Sequence, residues 1–286
     1  MEKALEQVVE ISTDGTSLHG VYHQSRSEAK QGIVFCDPFA EEKKCAHRVM
    51  VETARALAAS EFNCLRFDYR GCGDSPGHFD QFGPPQWLED IAAAASYMRS
   101  HTGLETVGVL GLRLGATMAL LAQREQQLFD FAILWEPIVN GHRYLKSNLQ
   151  RSLIKAMMTD TGGFSAAEVR QNHLQAAVLD FDGYAVSAPT RDWIDTVDLL
   201  ADPPDFSAPV LILNIGSRDQ VRGEYQELAE RMTDATARAA ILEPFWNRIG
   251  LISPQPVVEQ TALWLAELQV QHTKHTAGMP SNTTTK

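Results

Sequence analysis

Residues 106–117 read Thr-Val-Gly-Val-Leu-Gly-Leu-Arg-Leu-Gly-Ala-Thr, and this stretch decides the fold. The apolar run from Val107 to Leu110 is typical of a buried strand, and Gly111 and Gly115 allow a sharp turn into a helix. Such a turn holds its apex residue above a sheet, in front of a helix N-terminus. The apex here is Arg113, whose guanidinium cannot be deprotonated and cannot act as a nucleophile.

Strand-like and helix-like runs alternate on both sides of this turn. The hydrophobic periodicity predicts strands at 7–12, 16–23, 32–36, 63–67, 107–110, 131–135, 209–215 and 238–242, and helices at 47–59, 85–101 and 257–270. Asp14-Gly15 favours a tight hairpin, so the first two strands should form an antiparallel edge. The remaining alternation is typical of a mostly parallel sheet flanked by helices.

The alternation is interrupted once, which predicts how the chain is divided. Residues 139–205 contain amphipathic helical pieces and a polar-aromatic stretch, and we expect them to form a helical cap inserted over the carboxyl edge of the sheet. The α/β core should then comprise residues 1–138 and 206–271. Residues 272–286, rich in Thr with Gly, Pro and Ser, should form a disordered tail.

Composition excludes several classes of function. The formal net charge is -11 and no block of Lys or Arg occurs, so a nucleic-acid or anionic-membrane surface is not expected. No apolar run reaches the roughly 20 residues that span a bilayer, and the N-terminus has no signal-peptide pattern, which predicts a cytoplasmic protein. The four cysteines form no Cys-x-x-Cys pair and are expected to be reduced. The sequence predicts no metal and no cofactor.

Three motifs carry a resemblance to a known fold. They are the Gly111–Gly115 frame, the glycine-rich loop at 68–75, and the segment Gly-Ser-Arg-Asp-Gln-Val at 216–221. From about Val8 to Gln271 the chain resembles the α/β-hydrolase superfamily. More narrowly, Asp37-Pro-Phe-Ala-Glu-Glu42, the elbow sequence around Arg113, and Trp135-Glu-Pro137 with Gly141 resemble the hydrolase-like proteins of bacterial exosortase and exopolysaccharide systems.

The resemblance carries over only one member of a Ser-His-Asp triad. The acid position falls on Asp219, but the nucleophile position falls on Arg113. The base should follow the last strand, where residues 245–248 read Phe-Trp-Asn-Arg, and no histidine occurs between His173 and His272. Because serine needs a hydrogen-bonded base to attack at neutral pH, conventional catalysis is not expected. We expect a binding or accessory protein, and the alternative is an esterase, thioesterase or acyl transferase with an off-pattern nucleophile.

Arg113 suggests a different use for the elbow. Elbow amides at a helix N-terminus and a two-pronged guanidinium suit an anionic group of a small-molecule ligand, with Lys43, Lys44 or Arg48 as further cations. The alternative is internal pairing of Arg113 with Glu41, Glu42 or Asp219. The aromatic residues Trp135, Tyr144, Tyr184 and Trp193 could line an apolar pocket or form the core of the cap. The candidate ligand-site residues are Arg113, Leu114, Phe39, Glu41, Glu42, His142 and Asn247.

Other nucleophiles and bases also stay open. Ser75 follows the fourth strand, and Cys36 and Cys72 end near the same edge of the sheet. Thiols need less activation than hydroxyls. His47 and His78 could supply a base from unusual positions, although a loop or helix-cap role is the plainer interpretation.

Overall fold

The computed structural model describes residues 5–100, 104–125, 127–159 and 178–277. Eight strands form one sheet in the order β1-β2-β4-β3-β5-β6-β9-β10. β2 pairs antiparallel with β1 and β4, and every other pairing in this sheet is parallel. The mostly parallel sheet with an antiparallel edge is therefore confirmed.

The strands of this sheet are β1 Glu6–Thr13, β2 Thr16–His23, β3 Gln31–Cys36, β4 Phe62–Phe67, β5 Thr106–Leu112, β6 Ala132–Trp135, β9 Val210–Gly216 and β10 Ala235–Ile241, and a separate hairpin consists of β7 Val178–Phe181 and β8 Tyr184–Ser187. The helices are α1 Glu41–Ala59, α2 Pro84–Ser100, α3 Leu114–Glu125, α4 Gly141–Thr159, α5 Ala188–Thr196, α6 Gly223–Arg231 and α7 Gln255–Ala277, with short 3-10 helices at Phe79–Gln81 and Phe245–Asn247.

The helices cover both faces of the sheet. α2, α3 and α6 pack on one face around side chains such as Trp87 and Tyr225, whereas α1 and α7 pack on the other around Met50 and Val257. The central parallel strands β3, β5, β6 and β9 are buried on both faces, which explains their continuous apolar sequences. Among the described helices, none has the length and apolar character required to cross a bilayer.

Three elements differ from the sequence-based expectation. α1 begins at Glu41 rather than 47, because its charged first turn hides the apolar periodicity. The cap region contains the β7-β8 hairpin beside its helices, and this hairpin was not predicted from the sequence. α7 continues to Ala277, into the segment predicted as a tail, because a helix already anchored by buried side chains propagates at one hydrogen bond per residue. Residues 160–177 of the predicted cap, including the turn that Thr161-Gly-Gly163 predicts, lie outside the described residues, as do residues 278–286 of the predicted tail.

Candidate functional site at the elbow

The turn between β5 and α3 has the geometry expected of its two glycines. Arg113 adopts a left-handed backbone conformation with φ of 56°, which is strained for a residue with a side chain. Its N-H donates to the carbonyl oxygen of Trp135 at 2.9 Å. A Cβ at Gly115 would overlap the backbone after β3, and a Cβ at Gly111 would overlap Ala116. Glycine at both positions therefore lets α3 approach the sheet closely.

Two acids and two aromatic rings surround the Arg113 guanidinium. Its Nη2 lies 3.3 Å from Oε1 of Glu42, and its Nη1 lies 3.9 Å from Oε2 of Glu136. Its Cζ lies 5.4 Å from the ring centroid of Tyr144 and 5.1 Å from that of Trp246. Burial by itself lowers the pKa of Arg113, but Glu42 and its other neighbours raise it above the ordinary value, so the side chain stays charged.

The two carboxylates have other donors besides Arg113. The Tyr144 hydroxyl donates to Oε2 of Glu42 at 3.1 Å. Oε1 of Glu136 accepts the backbone N-H of Ile215 at 2.6 Å and the Asn214 side-chain amide at 3.2 Å, and Arg222 pairs with Oε2. Burial raises the pKa of Glu136, and Arg222 opposes that shift. Each acid would thus keep a hydrogen-bond donor if Arg113 were removed.

A cavity of about 340 Å³ opens above this cluster. Arg113 lies in its wall together with three further arginines, Arg143, Arg151 and Arg222. Of the described residues that line the cavity, Glu224 is the only acid, and the uncharged polar side chains are asparagine, serine and tyrosine. An anionic small molecule suits this lining better than an acyl chain does.

The structure places the predicted ligand-site residues in different surroundings. Asn247 lines the cavity, where its Oδ1 accepts a hydrogen bond from Arg151 at 3.2 Å. Leu114 is fully buried. Phe39 packs in an aromatic cluster with Phe79, Trp87 and Phe181, away from the cavity lining.

The remaining predicted residues do not join the cavity. Glu41 lies 3.5 Å from Lys44 on the first turn of α1. His142 is exposed on the cap, 2.9 Å from Asp195, and does not line the cavity. Asp219 is exposed after β9, and within the described residues no hydrogen bond or ion pair connects it to Arg113. Its role as the retained acid stays a prediction.

The three further cations proposed from the sequence are engaged elsewhere. Lys43 contacts Asp37 and Asp68 at 2.5 Å each. Lys44 pairs with Glu41, and Arg48 pairs with Glu52. They lie on α1, whose first turn directs Glu42 rather than a lysine towards the elbow.

The cations that do line the cavity were missed from the sequence. Arg143, Ser147 and Arg151 recur every four residues on α4, so one face of this helix forms a wall of the cavity. That spacing was the available signal. Arg222 precedes α6 and contacts Glu136, which is 86 residues away in the sequence, and no local sequence pattern predicts this contact.

The alternative nucleophiles and bases lie outside the cavity lining. Ser75 is buried, donates to the Asp68 carbonyl at 2.6 Å and accepts the His19 N-H at 2.9 Å. Cys36 is fully buried, and burial raises the pKa of the Cys72 thiol to about 12. His47 lies on α1 beside a smaller cavity, and the backbone N-H of His78 donates to Oε1 of Gln81 at 2.9 Å at the start of the 3-10 helix. Among the described residues no cluster of three His, Cys, Asp or Glu side chains could hold a metal ion.

The aromatic residues of the cap region do not form one pocket. Trp135, on β6, is buried on the face of the sheet that α1 and α7 cover, and its indole N-H donates to the Thr261 hydroxyl at 3.1 Å. Tyr144 contacts Arg113, Tyr184 packs on Phe79, and Trp193 lines a separate cavity with Arg124. These positions favour packing over an acyl-binding pocket.

The parallel sheet, the glycine elbow and the loops at its carboxyl edge define an α/β-hydrolase fold. A family model described as serine aminopeptidase, S33 matches residues 27–246, and the chain belongs to this family of α/β hydrolases. No curated protein matches the sequence.

Solved structures resemble the whole chain at low identity. Est1E from Butyrivibrio proteoclasticus, with ferulic acid bound, has a TM-score of 0.66 and 18% identity, covering 91% of this chain and 98% of its own. The esterase Pf2001 from Pyrococcus furiosus has a TM-score of 0.64 and 15% identity, covering 92% and 91%. DcsB, in complex with its substrate analogue, has a TM-score of 0.62 and 17% identity, covering 92% and 99%. At these identities the likeness shows the fold alone.

Proposed function

We propose that this protein is a binding or accessory protein on an α/β-hydrolase fold, with a degenerate triad and no serine mechanism. The observation that carries the proposal is the position of Arg113. The guanidinium occupies the apex where a nucleophile would stand and is enclosed by Glu42, Glu136, Tyr144 and Trp246. A permanently protonated group in this place can bind an anion but cannot attack a carbonyl.

The loop after β10 supports the same proposal. Trp246, in the segment where the base is expected, packs its ring against Arg113 instead. Without an imidazole at this point, a hydroxyl near the elbow has no group to accept its proton. The ligand we propose is a small molecule whose anionic group enters the cavity beside Arg113.

The proposal includes a place in the cell and a pathway. Four free cysteines without a disulfide among the described residues suit a reducing compartment, and we place the protein in the cytoplasm. The exosortase- or exopolysaccharide-linked role depends on the short motifs around Glu42, Arg113 and Glu136. These three residues come together in one cluster, which supports treating the motifs as a single functional unit.

A fluorophosphonate serine probe and nitrophenyl ester turnover test the catalytic part of the proposal, with an active serine esterase as the positive control. We expect neither labelling nor turnover. Binding of inorganic phosphate, followed by thermal shift, should weaken in Arg113→Ala. Probe labelling abolished by Ser75→Ala, Cys36→Ala or Cys72→Ala would contradict the proposal and establish the alternative, an esterase, thioesterase or acyl transferase with an off-pattern nucleophile. The family match is what favours that alternative.

A third hypothesis is that the protein is an interaction module that binds a protein partner through the cap. Partner binding would then survive both Arg113→Ala and Asp219→Ala, because neither residue lies on an outer face of the cap.

A further inference from the structure

The arginines that line the cavity differ in how their charges are balanced. Arg113 is paired with Glu42, Arg222 with Glu136, and Arg143 with Glu224. Arg151 donates to the side-chain oxygens of Asn148 and Asn247, and within the described residues no carboxylate pairs with it. Among the residues that the structure describes, the guanidinium of Arg151 therefore faces the cavity without a carboxylate partner.

Arg151 is also placed to reach a ligand. It is exposed on α4 and lies two turns after Arg143, whose guanidinium borders the same cavity. The Asn247 amide oxygen orients Arg151 from the opposite wall, which belongs to the α/β core. Because neutral oxygens hold the guanidinium without cancelling its charge, an entering anion gains a charge-assisted hydrogen bond at this point.

The rest of the lining restricts the body of the ligand. Ser147 presents a hydroxyl to the cavity. The amides of Asn140 and Asn148 each make bonds within the protein but keep a second N-H, so the lining suits a ligand with several hydroxyls. The volume of about 340 Å³ lies near the lower end of the roughly 300–1,000 Å³ usual for small-molecule sites. A long acyl chain fits neither the size nor the polarity.

We infer that the cavity binds a small hydroxylated molecule with a single anionic group, a phosphate monoester or a sugar acid, and that Arg151 is its principal anion contact. This inference rests on the proposed binding function and identifies the ligand class and the cation of that site. Arg113 forms the charged wall behind the anion, held in place by Glu42 and Tyr144.

Calorimetric titration of the full chain tests the inference, with glucose 6-phosphate, glucuronate, glucose and octanoate as probes. We expect at least one of the two anionic sugars to bind more tightly than glucose or octanoate. The order of the affinities for glucose 6-phosphate and glucuronate distinguishes a phosphate site from a carboxylate site. Arg151→Gln should weaken that binding roughly tenfold or more, because it removes a charged donor. Lys146→Gln provides the matched control, since it removes one positive charge from an exposed position of α4 outside the cavity lining.

Three outcomes would overturn the inference. They are unchanged affinity in Arg151→Gln, equal loss in Lys146→Gln, and failure of both anionic sugars to bind at millimolar concentration. Unfolding midpoints of both variants should match the unmodified protein, because both side chains are exposed. None of these results depends on probe labelling or ester turnover, so the inference and the absence of serine catalysis can fail separately.

Discussion

Two buried charged clusters flank the first turn of α1, and they are built differently. Consecutive residues of this turn, Glu42 and Lys43, enter the two clusters. Lys43 contacts Asp37 and Asp68 at 2.5 Å each, and within the described residues no other side chain donates to Asp37. In the second cluster the ion pairs of Arg113 itself are longer, at 3.3 Å to Glu42 and 3.9 Å to Glu136, each acid has several donors, and the cluster opens into the cavity.

The difference indicates what each cluster is for. Burial by itself lowers the pKa of Lys43, but Asp37 and Asp68 raise it above the ordinary value, so the charges of this cluster persist and hold the ends of β3 and β4 together. The Arg113 cluster is over-supplied with donors and borders open space. Such redundancy is unnecessary for stability and suits a site where a ligand enters.

Lys43→Met should give the largest effect. It leaves the buried carboxylate of Asp37 and the partly buried carboxylate of Asp68 without their shared lysine, which we expect to cost about 3–5 kcal/mol of unfolding free energy. Urea denaturation at pH 7 measures the loss. Lys43→Met/Asp68→Asn should recover part of it, and the loss should shrink in acid, where the freed carboxylates can be protonated. A smaller loss of unfolding free energy in Lys43→Met than in Arg113→Met would contradict this comparison.

His23 extends the comparison to a buried group that is kept neutral. Burial and then Arg66 lower its pKa from 6.5 to about 4. The unfolded chain therefore binds a proton between these values that the folded chain does not, so stability is retained above pH 6.5 and falls as the pH drops towards 4. Over this pH range the neutral His23 lowers the free energy of unfolding by about 3 kcal/mol. Urea midpoints between pH 7 and 4 should fall less steeply in His23→Gln, and identical slopes would exclude His23 as the source.

Arg113→Met should lower the free energy of unfolding by about 1–3 kcal/mol, which is less than the loss expected for Lys43→Met. The loss is smaller because Glu42 still accepts a hydrogen bond from Tyr144, and Glu136 still accepts hydrogen bonds from Arg222 and the Ile215 N-H. The same urea experiment measures it. Arg113→Met/Glu42→Gln, which removes both members of the closest ion pair, is the matched control and should restore part of the loss. If Arg113→Met proves as costly as Lys43→Met, both clusters are structural and the contrast disappears.

The smallest effect concerns the backbone of the elbow. Both Arg113→Ala and Arg113→Gly lose the guanidinium, but only glycine adopts a φ near 56° without strain. We expect Arg113→Gly to be more stable than Arg113→Ala by about 1 kcal/mol, a difference that thermal unfolding can resolve. Equal stability of the two variants would show that the strain at the apex is relieved once the side chain is gone.

Much of the fold could be predicted because its signals are local. The Thr16–His23 strand has the predicted bounds, and the other core strands differ from the predicted bounds by only a few residues. The β7-β8 hairpin was missed because its strands are four residues each, too short for a periodicity to develop. The start of α1 was missed because Glu41 to Cys45 carry no apolar stripe, although Glu42 is buried.

The candidate site was predicted less completely. The apex residue and the missing histidine could be read directly, and Glu42 was among the acids expected near Arg113. Glu136 was not, because its approach depends on a strand end that is distant in sequence. Lys43, one of three alternative further cations for the ligand site, lies in the other cluster, since the sequence does not tell which way successive side chains of a helical turn will point.

The sequence by itself determined that this chain forms a parallel α/β sheet with a glycine elbow, and that a guanidinium stands at the apex with no imidazole in the loop opposite. Alternation, glycines and residue identity are properties of short segments, so they need no coordinates. Only the tertiary structure decided which charges neutralise one another and placed Arg151 at the cavity with no acid beside it in the described part of the chain. Electrostatic pairing depends on distances of a few ångströms between residues from separate elements, and those distances exist only once the chain has folded.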